Sequence, residues 1–174
     1  MSSSWAFPTQ ITQFSENDFE NIHVPWQEAD NFFSLKHNDG RNTRTVKDLL
    51  HIARDPKPGL LDKTYYLKCT GFNFTDTPEH LTGIQLRLKV NRGGRITDDT
   101  IQFTINDNFI GDNKADNNCD NIKLYGDEND LWGTQLGIND VMSTAFGVIL
   151  RFKSHPKYPH RTSPFIDTVE LRIY

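Results

Sequence analysis

The 174-residue chain has little cysteine, little methionine and no long apolar run, and each shortage excludes something. Two cysteines cannot build the disulfide framework of a small secreted domain, and neither Cys69 nor Cys119 stands in a CxxC or Cys/His spacing suited to zinc. Cys69 shares a strand face with Leu67, which predicts a buried free thiol. Cys119 lies in a polar Asn/Asp stretch, and a pairing of the two stays open. Nothing approaches the roughly 18 apolar residues of a membrane-spanning helix, and mean hydropathy is −0.62, so no such helix is expected. The opening residues, Met-Ser-Ser-Ser-Trp, lack the basic-then-apolar pattern of a secretory signal. A net charge of −4 argues against a general nucleic-acid binder, which needs a basic stripe to displace counterions. Arg87, Lys89, Arg92 and Arg95 cluster locally, as do Lys153, Lys157 and Arg161, but acidic neighbours point to solvated faces.

Catalytic templates are missing as well. There is no GxSxG, GxxxxGK[ST], GxGxxG or HExxH. His23, His37, His51, His80, His155 and His160 lie in different segments without metal-ligand spacing. Asp98 and Asp99 could serve as a carboxylate pair only if they converged, and neighbours on a strand point to opposite faces. The expectation is a protein that is not an enzyme and has no resident cofactor.

What the sequence does hold is period-two alternation. Ile84, Leu86, Leu88 and Val90 alternate with polar residues, as do Ile101, Phe103 and Ile105, then Phe146, Val148, Leu150 and Phe152, and finally Val169, Leu171 and Ile173. Alternation buries one side of each strand and wets the other, which predicts an all-β, antiparallel, jelly-roll-like sandwich. Strands are expected near 64–74, 83–92, 100–106, 121–125, 145–154 and 165–174, with a weaker one near 31–37. Asn91 to Arg95 predicts a hairpin loop between two of them. Val46, Leu49, Leu50 and Ala53 share a face at helical spacing, so one short helix is expected near 43–54, stopped by Asp55-Pro56-Lys57-Pro58-Gly59. Ile138 to Val141 reads as a short helical turn, and the prolines of His155–Pro164 as an exposed excursion. Residues 1–30 read as an irregular arm and residues 31–174 as the sandwich. Trp5, Phe7, Phe14, Phe19 and Trp26 in that arm dock either on neighbouring subunits or on the chain's own sandwich.

Two constellations stand out. The stretch Asp107–Asp130 is dense in Asp and Asn, and Asp112, Asp116 and Asp120 are the candidates to hold a calcium ion. The ordered calcium-loop pattern is absent, so the competing reading is turn chemistry. Tyr125 to Gly133 places a Trp between Leu and Gly after an acidic turn. Trp132 there either plugs the open end of the sandwich or forms, with Tyr125 and Tyr158, a ligand-stacking platform.

Several pieces recur in an order that carries a resemblance. They are Tyr66–Phe72, Leu81–Leu86, Asp98–Phe103, Ile110–Ala115, Gly126 through Leu131-Trp132-Gly133, Phe146-Gly147-Val148 and Ile166–Tyr174. Over about residues 64–174 the chain resembles small β-sandwich, virion-associated proteins of tailed bacteriophages, of the tail or capsid-decoration type. A weaker echo runs from Pro25-Trp26 to Ser34, while the insertion at 38–62 and the loop His155–Pro164 depart from that compact pattern. The resemblance implies a virion protein made in the host cytoplasm, present in several copies or as a homo-oligomer, whose partners are other virion proteins. Direct contact with nucleic acid or membrane is not implied. A carbohydrate-binding module for host adsorption on the same fold is the alternative.

Overall fold

The computed structural model describes residues 2–16, 23–26, 62–155 and 164–174, together with the backbone of 43–44. The strands are β1 (Gln10–Phe14), β2 (His23–Val24), β3 (Thr43–Arg44), β4 (Lys63–Thr64), β5 (Tyr66–Thr70) and β6 (Ile84–Asn91). They continue with β7 (Ile96–Ile105), β8 (Asn108–Ile110), β9 (Ile122–Tyr125), β10 (Phe146–Ser154) and β11 (Phe165–Ile173). One helical turn, α1 (Ile138–Val141), leads into β10. The larger sheet runs β1-β5-β10-β7-β8, with β4 beside β10 and β2 along β4; the smaller runs β3-β11-β6-β9. The all-β, two-sheet expectation holds.

The alternating residues explain the packing. Leu86, Leu88, Val169 and Leu171 from the smaller sheet meet Leu67, Cys69, Phe103, Val148 and Leu150 from the larger in one core. All nine have no exposed surface. Burying a side chain of that size contributes about 1.5–3 kcal/mol, so these positions hold the strands in register. Two bulges break the ladders, and each leaves an aspartate outward-facing and paired. Asp99 in β7 sits against Arg151, and Asp167 in β11 lies 3.4 Å from Lys89.

Three expectations meet the structure differently. β6 and β7 do not form a hairpin; they belong to opposite sheets, and the turn Arg92–Arg95 carries the chain across. The apolar faces of both strands must be buried, and placing the strands on opposite sides of one core does that for each. Of the two dockings open for the first residues, the described part takes the one on the chain's own sandwich. Ala6 exchanges hydrogen bonds with Leu171 in β11, and β1 pairs with β5 from Gln10↔Thr70 to Phe14↔Tyr66. Of the helix expected near 43–54, Thr43 and Arg44 form β3 against β11, and the rest lies outside the described residues, as does the strand near 31–37.

Arg92 is the largest departure from a solvated face. Its side chain is fully buried, donates to Asp98 at 2.5 Å and to the Asn118 carbonyl at 3.2 Å, and stands 3.3 Å from the Tyr125 hydroxyl. Tyr125 donates its own hydroxyl hydrogen to Asp98. Burial lowers the Arg92 pKa and Asp98 raises it, with a net rise, so the guanidinium stays charged. Burial, followed by the Asp98 charge, pushes the Tyr125 phenol far up, so it stays a donor. This group also orients β9. With Tyr125 turned in, Lys123 shares its side and pairs with Asp116, leaving Ile122 and Leu124 63% and 52% exposed.

Removing one member of a buried charged group leaves the other uncompensated. Asp98→Ala is expected to cost about 3–5 kcal/mol in urea denaturation, and the joint change Arg92→Met with Asp98→Leu less, because no charge stays buried. A single substitution milder than the joint one contradicts this account.

Candidate functional site, an aromatic patch on the larger sheet

β1 and β5 set the patch. Their register places Phe14 opposite Tyr66, on the side away from the core residues Leu67 and Cys69. The Phe14 and Tyr66 rings stack at 5.0 Å, and Phe109 of β8 meets Tyr66 edge-on at 5.5 Å. Phe109 follows a two-residue turn, Asn106-Asp107, in which both residues have positive φ, and Asp107 pairs with Lys68 on the same face. Tyr66 is buried between its neighbours, whereas Phe14 and Phe109 are 37% and 43% exposed. Ile149, in register with Lys68 and Gln102, also points outward and is fully buried, so the outer side of this sheet has its own small apolar layer.

A charged network frames the rings. The Arg151 guanidinium lies 4.0 Å from the Tyr66 ring centre, donates to Asp99 at 2.6 Å and to Glu16 at 3.1 Å, while Lys63 pairs with Asp99 at 3.3 Å. The Tyr66 hydroxyl donates to Glu16 at 3.0 Å. Burial works against ionisation of Asp99, but Arg151 and Lys63 outweigh it and hold the carboxyl below its usual range. Burial pushes the Tyr66 phenol up to about 12; Arg151 opposes the rise, and Glu16 and Asp99 add to it. The charged groups are committed to one another, so what the patch offers a partner is ring surface with a fixed ionic rim. That arrangement suits recognition.

The residues singled out in the sequence scatter. Phe14 is in the patch. Trp5 is half-buried on the smaller sheet, between Arg87 at 4.2 Å and Arg172 at 4.4 Å. Phe7 is half-buried. Trp26 is 2% exposed, edge-on to Phe152 in the core, and donates its indole N–H to the Tyr65 carbonyl, so it is no surface contact. Phe19 and Tyr158 lie outside the described residues. The stacking platform does not form, because Tyr125 is 4% exposed and Trp132 not at all.

Trp132 is instead the plug. It stacks on Phe103 at 4.0 Å and donates its indole N–H to the Ile84 carbonyl at 3.0 Å. Gly126 makes room for it: at φ +74°, a Cβ there would lie 2.4 Å from the indole nitrogen. That glycine was the available signal that the following Trp turns inward.

Asp112, Asp116 and Asp120 do not converge. Asp116 pairs with Lys123, Asp120 accepts from the Asn118 amide, and Asp112 approaches Lys114 at 3.9 Å. Asn118 N–H to Asp116 and Asp120 N–H to Asn118 are the turn bonds of the competing reading. Among the described residues no three His, Cys, Asp or Glu side chains are placed to share a metal ion. Both cysteines are free, Cys69 buried with its thiol pushed up by that burial. No described helix is long and apolar enough to cross a membrane. Phe109, Tyr66, Glu16 and Arg151 were not singled out in the sequence as site residues, because nothing local marks residues far apart in the chain as neighbours. Known protein families, curated proteins and solved structures provide no match to the chain.

The Tyr66 phenol is raised in the fold relative to an unfolded value of about 10. Its contribution to stability is therefore complete below pH 10 and lost as pH climbs through about 12. In denaturation measured across that window, Tyr66→Phe is expected to lose less stability than the unsubstituted chain, with Tyr125 accounting for loss that remains. Identical slopes for both proteins would show that Tyr66 is not held protonated.

Proposed function

We propose that the chain is a structural component of a bacteriophage virion, a capsid-decoration or tail-associated protein that works through protein–protein contacts. The resemblance over residues 64–174 supports the class. The single observation that carries the reading is the pair of exposed rings, Phe14 and Phe109, fixed on either side of Tyr66 on the outside of a well-packed sheet. Exposed apolar surface with a polar rim is the usual mark of an interaction site. Rings held by a sheet lose little freedom on binding, which suits a contact repeated in many copies. The mechanism is adhesive: the sandwich is the rigid body, and the patch is where a neighbouring virion protein sits. Carbohydrate binding through Tyr125 and Trp132 has no support, since both are buried.

Phe14→Ser with Phe109→Ser removes the exposed ring surface while sparing the core. The doubly substituted chain is expected to keep its circular dichroism spectrum and its melting temperature within a few degrees. Its amount in purified particles, read by mass spectrometry, should fall about tenfold, the equivalent of about 1.4 kcal/mol of contact energy. Absence of the unsubstituted chain from purified particles, or normal incorporation of the variant, removes the reading.

A further inference from the structure

Two clefts open side by side where the last strand ends, and Thr82 and Tyr174 line both. Both are open to solvent; one, of about 300 Å³, is further lined by Ser2, Glu128 and Asn129, and the other, of about 470 Å³, by Thr77, Pro78, Glu79 and His80. Both fall in the size range of small-ligand sites, about 300–1,000 Å³.

The wall between them is firmly built. Tyr174 donates its N–H to the Gly83 carbonyl at 2.9 Å, accepts from Thr82 N–H at 2.7 Å and donates its hydroxyl to Gln85 at 3.0 Å. Glu128 and Asn129 are carried by a turn in which Asn129 N–H bonds the Asp127 carboxylate at 2.8 Å. That turn lies flush on Gly83, where a Cβ would come within 2.2 Å of the Asp127 carbonyl oxygen. Any larger residue at 83 would push the turn, and with it Glu128 and Asn129, away from the cleft. Among the described residues, the side chains of Glu79, Glu128 and Asn129 have no hydrogen-bond or ion-pair partner. They are unused acceptors and donors beside an aromatic ring.

We propose that this double cleft binds a neutral saccharide that passes across Tyr174. The C–H face of a sugar ring packs against an aromatic side chain, and carboxylate and amide groups exchange hydrogen bonds with its hydroxyls. Glu128 and Asn129 serve one side of Tyr174 and Glu79 the other. The carboxylates of Glu79 and Glu128 outnumber the single imidazole, His80, and disfavour acidic sugars. A cation would satisfy the carboxylates alone, whereas the Asn129 amide and the hydroxyls of Ser2 and Thr82 match a ligand rich in hydroxyl groups. None of the residues lining this site belongs to the Phe14, Tyr66 and Phe109 patch, and the inference does not rest on the virion reading.

The test is saturation-transfer NMR, followed by calorimetry, of the full chain with neutral gluco-, galacto- and manno-oligosaccharides. Oligogalacturonate and lysine amide serve as acidic and cationic probes. At least one neutral oligosaccharide is expected to bind with a Kd of roughly 1 mM. Tyr174→Ala should weaken it about tenfold, and Tyr174→Phe, which keeps the ring, by no more than about threefold. Glu128→Ala with Asn129→Ala, on an exposed turn, should also weaken it, and decides the matter if Tyr174→Ala does not fold. Silence of the whole neutral panel, a response confined to lysine amide, or binding indifferent to these substitutions overturns the proposal. Particle incorporation is read separately, so failure here leaves the assembly test intact.

Discussion

The buried contact among Arg92, Asp98 and Tyr125 is the constraint on which much of the architecture turns. A guanidinium with no exposed surface must keep its carboxylate, and the two sit on opposite sides of the crossing between sheets. Tyr125 ties a third strand to the same point, and the Asn118 carbonyl draws in the loop that precedes β9. The Arg92 Nε remains without a partner, so the group is not a fully satisfied network. Its value lies less in net stability, since buried ion pairs roughly break even against apolar replacements, than in specifying one arrangement. It decides which face of β9 is in, and accepts two exposed aliphatic side chains as the consequence.

The strands were legible wherever the period-two signal was long. β6, β10 and β11 lie close to where alternation put them, and β7 begins a few residues earlier because Thr97 and Asp98 are buried polar positions that mask the pattern. β1 was invisible because its outward residues, Gln10, Thr12 and Phe14, include the only large ring, while Gln13 turns the other way to bond Trp26. The Gly93-Gly94 turn reads as a hairpin from local chemistry. Only the need to bury both neighbouring apolar faces sends it across the core. The burial of Arg92 could not be read locally either, because it depends on an aspartate six residues on and a tyrosine thirty-three residues on.

Of the candidate patch, Phe14 alone was visible in the sequence. An aromatic in a polar segment looks exposed, and exposure is a property of the fold. Trp26 and Trp132, with comparable neighbours, ended in the core, whereas Phe109, in an unremarkable segment, ended at the surface. The two outer faces nonetheless use the same device. A guanidinium lies over Tyr66 on one, and two flank Trp5 on the other. In each case a carboxylate, Asp99 or Glu170, secures an arginine. Flat cation–aromatic contacts of this kind let an outward ring be fixed in position without being buried in the core.

The hydrogen bonds between Ser3 and Ile173, from the Ser3 N–H to the carbonyl at 2.9 Å and from the Ile173 N–H to the hydroxyl at 3.1 Å, join positions 170 residues apart. Ser3 and Ala6 thus satisfy the edge of β11 beyond Ile166, where β3 stops, and stand where a further strand would otherwise add to the sheet.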